Sequence, residues 1–312
     1  MDKDLQEHLA DWLGQEQQRV QGAKKLTRQE KAFLAGRAGI ILKTAAKNRS
    51  LRVLRARSKP VAVVYRIPSN RPRIKNQQAL FFMMDREKTS RKTRAWIKEQ
   101  LRSLGAAAPR ATVATLMPGD EKLYRSVLLA AGFQNRYEIL KGDTKVALRN
   151  LRQRKDPPRD LTHAGLNLVR LTSASQLKEA MRLQKSVILK FKRHGYFSHT
   201  PKQLREDLKC YREALKEKSG VLLGVYQGSR LRGLMAATIH PGDRPGERTG
   251  SLAFFLHPSI HGQGITKTGY RIFLEFFVRR KVRTFWGGTS QPAIQHLSRL
   301  MKRQIVAVIY VK

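Results

Sequence analysis

The chain is poor in acid. Its 312 residues carry 23 Asp and Glu against 63 Lys and Arg, a formal net charge of +40. Solubility requires far less, so the excess implies an anionic partner or an unusual habitat. Cysteine is almost absent: Cys210 stands alone, which excludes a disulfide framework and a Cys-based zinc site. Long apolar runs are missing too. Apolar runs such as residues 221–225 and 305–311 are strand-sized, and no run reaches the length of a membrane span. The opening stretch MDKDLQEHLADWLGQEQQ is acidic and amphipathic and lacks the apolar core of a secretion signal. With the single thiol, this leads to the expectation of a cytoplasmic protein. What is present is 41% hydrophobic, too apolar for disorder, and long enough for about two domains with real cores.

The charge is shared between the halves. Residues 1–160 hold 36 basic and 15 acidic side chains, and residues 161–312 hold 27 and 8. Two stretches stand out within it. From Lys31 to Met84 there are 13 Lys and Arg and no acid, and from Arg248 to Lys312 the only acid is Glu275. Such a block is either a solvated face or a footprint for phosphate or nucleic acid.

Periodicity alternates between helix and strand. Leu5, Leu9, Trp12 and Leu13 lie on one helical stripe, and Thr27 with Glu30 forms a capping box for a second helix. Strands follow at residues 51–57, 60–67 and 79–84, then a helix over 89–104 ending at Gly105, a strand at 111–116, a helix over 120–131 closed by Gly132, and a strand at 133–140. Residues 142–165, with Pro157-Pro158, read as a basic linker that includes a short helix around 146–153. The second half reads as a strand (166–171), two helices (173–191 and 200–216), a hairpin (221–226 and 231–239), a strand (251–256), a helix (265–280), a strand (282–286), a helix (292–302) and a last strand (305–311). Apart from one opening strand, the element order of the first half recurs in the second. The fold class is therefore α/β (α+β), with two tandem mixed sheets flanked by helices. The expected division is 1–141, a linker 142–165, and 166–312.

Residues 252–277, LAFFLHPSIHGQGITKTGYRIFLEFF, are the most informative. A strand ends at His257-Pro258, a loop with Gly262 and Gly264 follows, and a helix starts at about Ile265. Glycines allow a phosphate to approach the backbone, and a helix N-terminus offers free N–H groups and a positive dipole end. The same geometry also serves as a plain strand-to-helix turn.

This segment, with the element order around it, resembles the GCN5-related N-acetyltransferase superfamily. That family's pyrophosphate loop has the pattern Arg/Gln-x-x-Gly-x-Gly/Ala; here it reads His261-Gly262-Gln263-Gly264-Ile265-Thr266, with Gly264 matching. The resemblance covers about residues 166–312 and extends weakly to 51–141, where Asp85 to Arg91 replaces the loop without a glycine, as in a degenerate copy. It implies an acyltransferase using acetyl-CoA as donor and an amine of unknown identity as acceptor. The donor would be bound through Leu256, His261, Gly262, Gln263, Gly264, Ile265 and Thr266. Tyr196 and Phe197, in the loop between the first two helices of the second half, would line the acceptor pocket or else cap the core.

The family uses a carboxylate as base and a tyrosine as acid. This chain departs from both habits. The strand at 251–256 has no acid, and Glu247 just before it is the nearest candidate. The last helix has no tyrosine; it carries His296, and Tyr310 lies on the final strand. These three are the candidate catalytic residues. His240, His257 and His261 have no suitably spaced carboxylate or thiol, so no metal site is expected. No strand–Gly-x-Ser-x-Gly–helix elbow is present for Ser-His-Asp chemistry. Tandem folds of this kind also occur in Fem-type and leucyl/phenylalanyl aminoacyl-tRNA-dependent transferases. That resemblance makes tRNA an alternative donor, held by the stretch from Lys31 to Met84. A non-enzymatic nucleic-acid-binding protein on a transferase scaffold is the third reading.

Overall fold

Two amphipathic helices open the chain, α1 (Lys3–Gln21) and α2 (Arg28–Lys47). At α2 the Thr27 side chain accepts from the Glu30 N–H and Glu30 reaches back to the Thr27 N–H, completing the expected capping box. Their apolar stripes bury Leu9, Trp12, Leu34 and Leu42 against Val63 and Tyr65 of a sheet. A computed structural model describes all residues except 1, 22–25, 69–76, 87–88, 110–111, 154–164, 191–200 and 243–246.

The described chain divides into two compact units, Met1–Arg136 with Ala307–Lys312, and Tyr137–Val306. In the first unit, β1 (Leu51–Ala56), β2 (Lys59–Pro68), β3 (Gln78–Met84), β4 (Val113–Leu116) and β11 (Gln304–Val311) follow one another in that order. All neighbours are antiparallel except β3 and β4, which are parallel. The helices α3 (Arg91–Ala106) and α4 (Pro118–Ala130) complete it. Gly132 closes α4 as expected: its φ is +85°, and the next N–H, of Phe133, donates to Leu128 O at 3.0 Å. Gly105 does not end α3. It lies inside the last turn, where a Cβ would meet Ala131 and Phe133 at 3.1 and 3.2 Å, so packing selects glycine there.

In the second unit the order is β5 (Gln134–Asp143, from Tyr137 onward), β10 (Thr284–Thr289), β9 (Arg248–Leu256), β8 (Arg230–Pro241), β7 (Gly220–Gln227) and β6 (Leu166–Arg170). Only β9 and β10 are parallel; β5 with β10, and the run from β9 to β6, are antiparallel. One face is covered by α5 (Thr144–Arg152), α8 (Ile265–Arg279) and α9 (Pro292–Leu300), burying Leu148, Phe273, Phe277 and Leu297 against Met235 and Phe285. The other face carries α6 (Ala174–Lys190) and α7 (Pro201–Lys216), with Leu177 and Tyr211 against Leu222 and Leu234.

The fold is thus mixed α/β, with mixed β-pairing in each unit. Its units are divided differently from the sequence expectation. The boundary falls between residues 136 and 137, and the last six residues belong to the first unit. The expected linker begins with the end of β5 and with α5, whose Ala147, Leu148 and Leu151 are core residues of the second unit. Each half therefore supplies its closing strand to the other unit: residues 138–143 pair with β10, and residues 308–311 pair with β4.

Candidate functional site

The second unit contains the informative loop. The strand β9 ends at Leu256, a single 3-10 turn (Pro258–Ile260) follows, and α8 begins at Ile265. Gly264 is the N-cap of α8, at φ +79° and ψ −3°, without a side-chain cap. Gly262 also has φ +79°. Both backbones are left-handed, where an L side chain is strained, so the spacing Gly-x-Gly is a conformational requirement of this turn. A Cβ at 262 would meet nothing within 4 Å, so the surface over that residue is open. The first turn of α8 contains no acid, and Gly264 has no side-chain oxygen to cap its first N–H groups; the Gly264 carbonyl accepts from the N–H groups of Lys267 and Thr268 at 3.1 and 3.3 Å. An uncapped, acid-free helix start of this kind favours an anion.

The adjacent strands add a cleft. β9 and β10 pair only through Thr249–Thr284, Gly250–Phe285 and Ser251–Trp286. Beyond that point both strands continue, but apart. Residues 252–256 stay paired with β8 alone, and residues 287–289 pair with β5 alone. All of residues 251–256 are half-buried although β9 lies inside the sheet. The β10-facing edge of β9 thus offers unpaired backbone polar groups in a partly desolvated slot, which must be met by water or by an extended ligand. The slot opens on the side of Leu256, from which the glycine loop follows.

The residues expected to bind the donor all lie along this segment. Leu256 ends β9, His261, Gly262, Gln263 and Gly264 form the loop, and Ile265 and Thr266 open α8. His261 is exposed, and its Nε2 lies 3.1 Å from Leu256 O, tying the loop to the strand end. Ile265 is buried in the core, so only its backbone is available to a ligand. Gln263 keeps a buried Oε1 without a hydrogen-bond partner.

The three candidate catalytic residues lie on other parts of the chain. Glu247 precedes β9, so the strand places it roughly 30 Å from the glycine loop, at about 3.3 Å per residue. His296 is exposed on α9. Tyr310 belongs to the first unit, is 1% exposed, and donates to Glu121 Oε1 at 2.6 Å; Glu121 also accepts from Arg136 at 2.5 and 2.9 Å. Burial and the neighbouring carboxylate push the Tyr310 hydroxyl up to about 12, which makes it a weaker proton donor than a free phenol. Tyr196 and Phe197 lie outside the described residues. Among the described residues no group of three His, Cys, Asp or Glu could hold a metal ion, and no helix is long and apolar enough to cross a membrane.

Sequence reasoning overlooked the residue that lies at the closed end of this cleft, where the strands part. Arg303 is 7% exposed, and its Nη2 donates to Gly287 O at 3.2 Å and to Leu140 O at 3.0 Å. Nothing in the sequence distinguishes it from the other basic residues. The adjacent glycines at 287 and 288 were a signal, because a strand with two glycines leaves room for something to approach it closely.

No family model matches the chain, and no curated protein matches it in sequence. Among solved structures it is similar to a GCN5-related N-acetyltransferase from Sphaerobacter thermophilus, at 10% identity, over 82% of this chain and 77% of that one, with a TM-score of 0.49. It is similar to a GCN5-related N-acetyltransferase from Kribbella flavida, at 16% identity over 87% and 92%, with a TM-score of 0.40. A predicted acetyltransferase with acetyl-CoA from Clostridium acetobutylicum aligns at 12% identity over 43% of this chain and 86% of that one, with a TM-score of 0.34. None of the three reaches a TM-score of 0.5, so the site's chemistry is read from its own geometry.

Proposed function

We propose that the second unit is an acyltransferase that takes acetyl-CoA as donor and an amine as acceptor. The carrying observation is the parting of β9 and β10 beyond Ser251 and Trp286, directly before the Gly262–Gly264 turn. An extended thioester-bearing chain fits a slot edged by unpaired backbone, and its phosphates fit the uncapped start of α8. The backbone around Gly262, Gly264, Ile265 and Thr266 holds the anionic end, and the edge of residues 252–256 orients the arm. In the transfer the acceptor nitrogen bonds to the acyl carbon as the carbon–sulfur bond breaks. Sulfur keeps the electron pair, and the proton on nitrogen passes to solvent.

A test is a thermal melt with and without acetyl-CoA. The wild-type chain is expected to gain stability with donor concentration, and Gly264→Glu to lose that gain, because a side chain strains the left-handed backbone at 264 and a carboxylate there repels an anion. A wild-type melt unmoved at millimolar acetyl-CoA would overturn the reading.

A second reading concerns the first unit. Helix α2 exposes Arg37, Lys43 and Lys47 in a stretch without acid, with Phe33 and Ile40 each 69% exposed among them. Such a face suits a nucleic-acid backbone, with an aromatic available for stacking. Binding of single-stranded RNA is expected to weaken steeply with salt and to fall when Arg37, Lys43 and Lys47 are replaced by Gln. Unchanged binding in that variant would remove α2 from the account.

A further inference from the structure

The second unit buries a cation more deeply than a strand tie requires. Arg303 Nη1 donates to the Tyr270 hydroxyl at 3.1 Å and to Ser298 Oγ at 3.3 Å, and Nη2 donates to Leu140 O and Gly287 O. Its Nε is buried without a partner. Its Cζ lies 4.9 Å from the centre of the Phe285 ring. Two glycines make way for it: a Cβ at 142 would meet Arg303 Cγ at 3.0 Å, and a Cβ at 287 would meet Nη2 at 3.1 Å. Neutral oxygens and aromatic faces surround the guanidinium, and among the described residues no carboxylate pairs with it. Buried charges are ordinarily paired, because desolvation is costly. A guanidinium cannot escape that cost by losing its proton.

Its place is specific. Gly287 is the first residue of β10 beyond the last pair with β9, and Leu252 is the first residue of β9 beyond it. A side chain at 287 would touch both Arg303 Nη2 and, at 3.7 Å, Leu252 O. The charge therefore sits at the apex where the two strands part. The titratable groups that act on it are Tyr270 of α8, whose hydroxyl burial pushes up, and Tyr137 of β5. Glu138, buried further along β5, does not hydrogen-bond to it, and the one histidine of α9, His296, is exposed.

We propose that Arg303 is a positioning residue of the acyl-transfer site, fixing Gly287 at the apex of the cleft and holding there an uncompensated positive potential that stabilises the departing sulfur anion. This rests on the reading of the cleft as a coenzyme A site. As the carbon–nitrogen bond forms and the carbon–sulfur bond breaks, sulfur takes the electron pair and is later protonated by water. A positive charge held in a low-dielectric wall stabilises that anion without moving.

The test is an ultraviolet titration of the thiol of coenzyme A bound to the full chain, with the ligand-free protein giving the background of Cys210. In the wild-type complex the thiol is expected to titrate about one pH unit below free coenzyme A, about tenfold more thiolate at a given pH below both values. Arg303→Met is expected to abolish the shift and Arg303→Lys to retain much of it. A wild-type complex whose thiol titrates as in free coenzyme A overturns the proposal without any variant having to fold. A shift that persists in Arg303→Met overturns it as well. Failure of the wild type to bind coenzyme A at all overturns the reading of the cleft, and is a different result from binding with an unshifted thiol.

Discussion

Tyr310 and Arg303 show what single residues concealed. Tyr310, on an alternating apolar strand, was a candidate acid, but its hydroxyl is held by Glu121 inside the first unit. Tyr310→Phe is expected to lower unfolding stability by about 1.5–3 kcal/mol, the range for a hydrogen bond to a charged group, and to leave acetyl-CoA binding unchanged. Denaturant melts and a binding titration check the two halves of that statement. Glu121 has its pKa lowered below the usual 4.5, first by the Arg136 hydrogen bond and then by that of Tyr310, against an opposing push from burial. Because the folded state prefers the ionised form, its stabilisation is complete above 4.5 and is lost as pH falls through the lower folded value. Glu121→Gln should therefore be less stable than wild type at neutral pH and approach it in acid; an equal gap at both ends of a pH series of melts would contradict this. Gly264 could be read from the sequence because a turn into a helix demands a particular backbone. Arg303 could not, because its role depends on glycines at 142 and 287, far from it in the chain.

Elements were legible where local signals decide them. The Thr27–Glu30 box and the Gly132 cap are local, and both stand where the sequence put them. The strand expected at 282–286 instead runs Thr284–Thr289, because Gly287 and Gly288 look like a turn but pair with Leu140 and Ile139. Non-local pairing overrides propensity there. A second long-range link joins helices in the first unit. Arg86 grips Asp120 of α4 with two bonds at 2.9 and 2.6 Å and Glu16 of α1 at 2.7 Å, and Asp120 is 2% exposed. Arg86→Met leaves that carboxylate buried and unpaired, so a loss of about 3–5 kcal/mol is expected in denaturant unfolding, with Asp120→Asn the milder change.

For the whole molecule, the order of elements was readable, and the division into units was not. A repeated order suggests two halves that close separately, whereas β5 completes the second unit and β11 the first. No local signal tells a last strand which sheet to join. Fragments 1–141 and 166–312 are accordingly expected to lack a cooperative melt when made alone, since the first lacks residues 308–311 and the second lacks residues 137–143 and α5. A fragment 166–312 melting as sharply as the full chain would contradict that. The net charge of +40 belongs to this scale as well. It is spread over both halves, and the cleft uses little of it beyond one buried arginine and the dipole end of a helix.

Hydrogen exchange of the full chain with and without coenzyme A tests the central claim most directly. The account predicts ligand-dependent protection at the amides of residues 252–256 and 262–268, with the remaining described residues little changed. Protection absent from both segments at saturating ligand would contradict it.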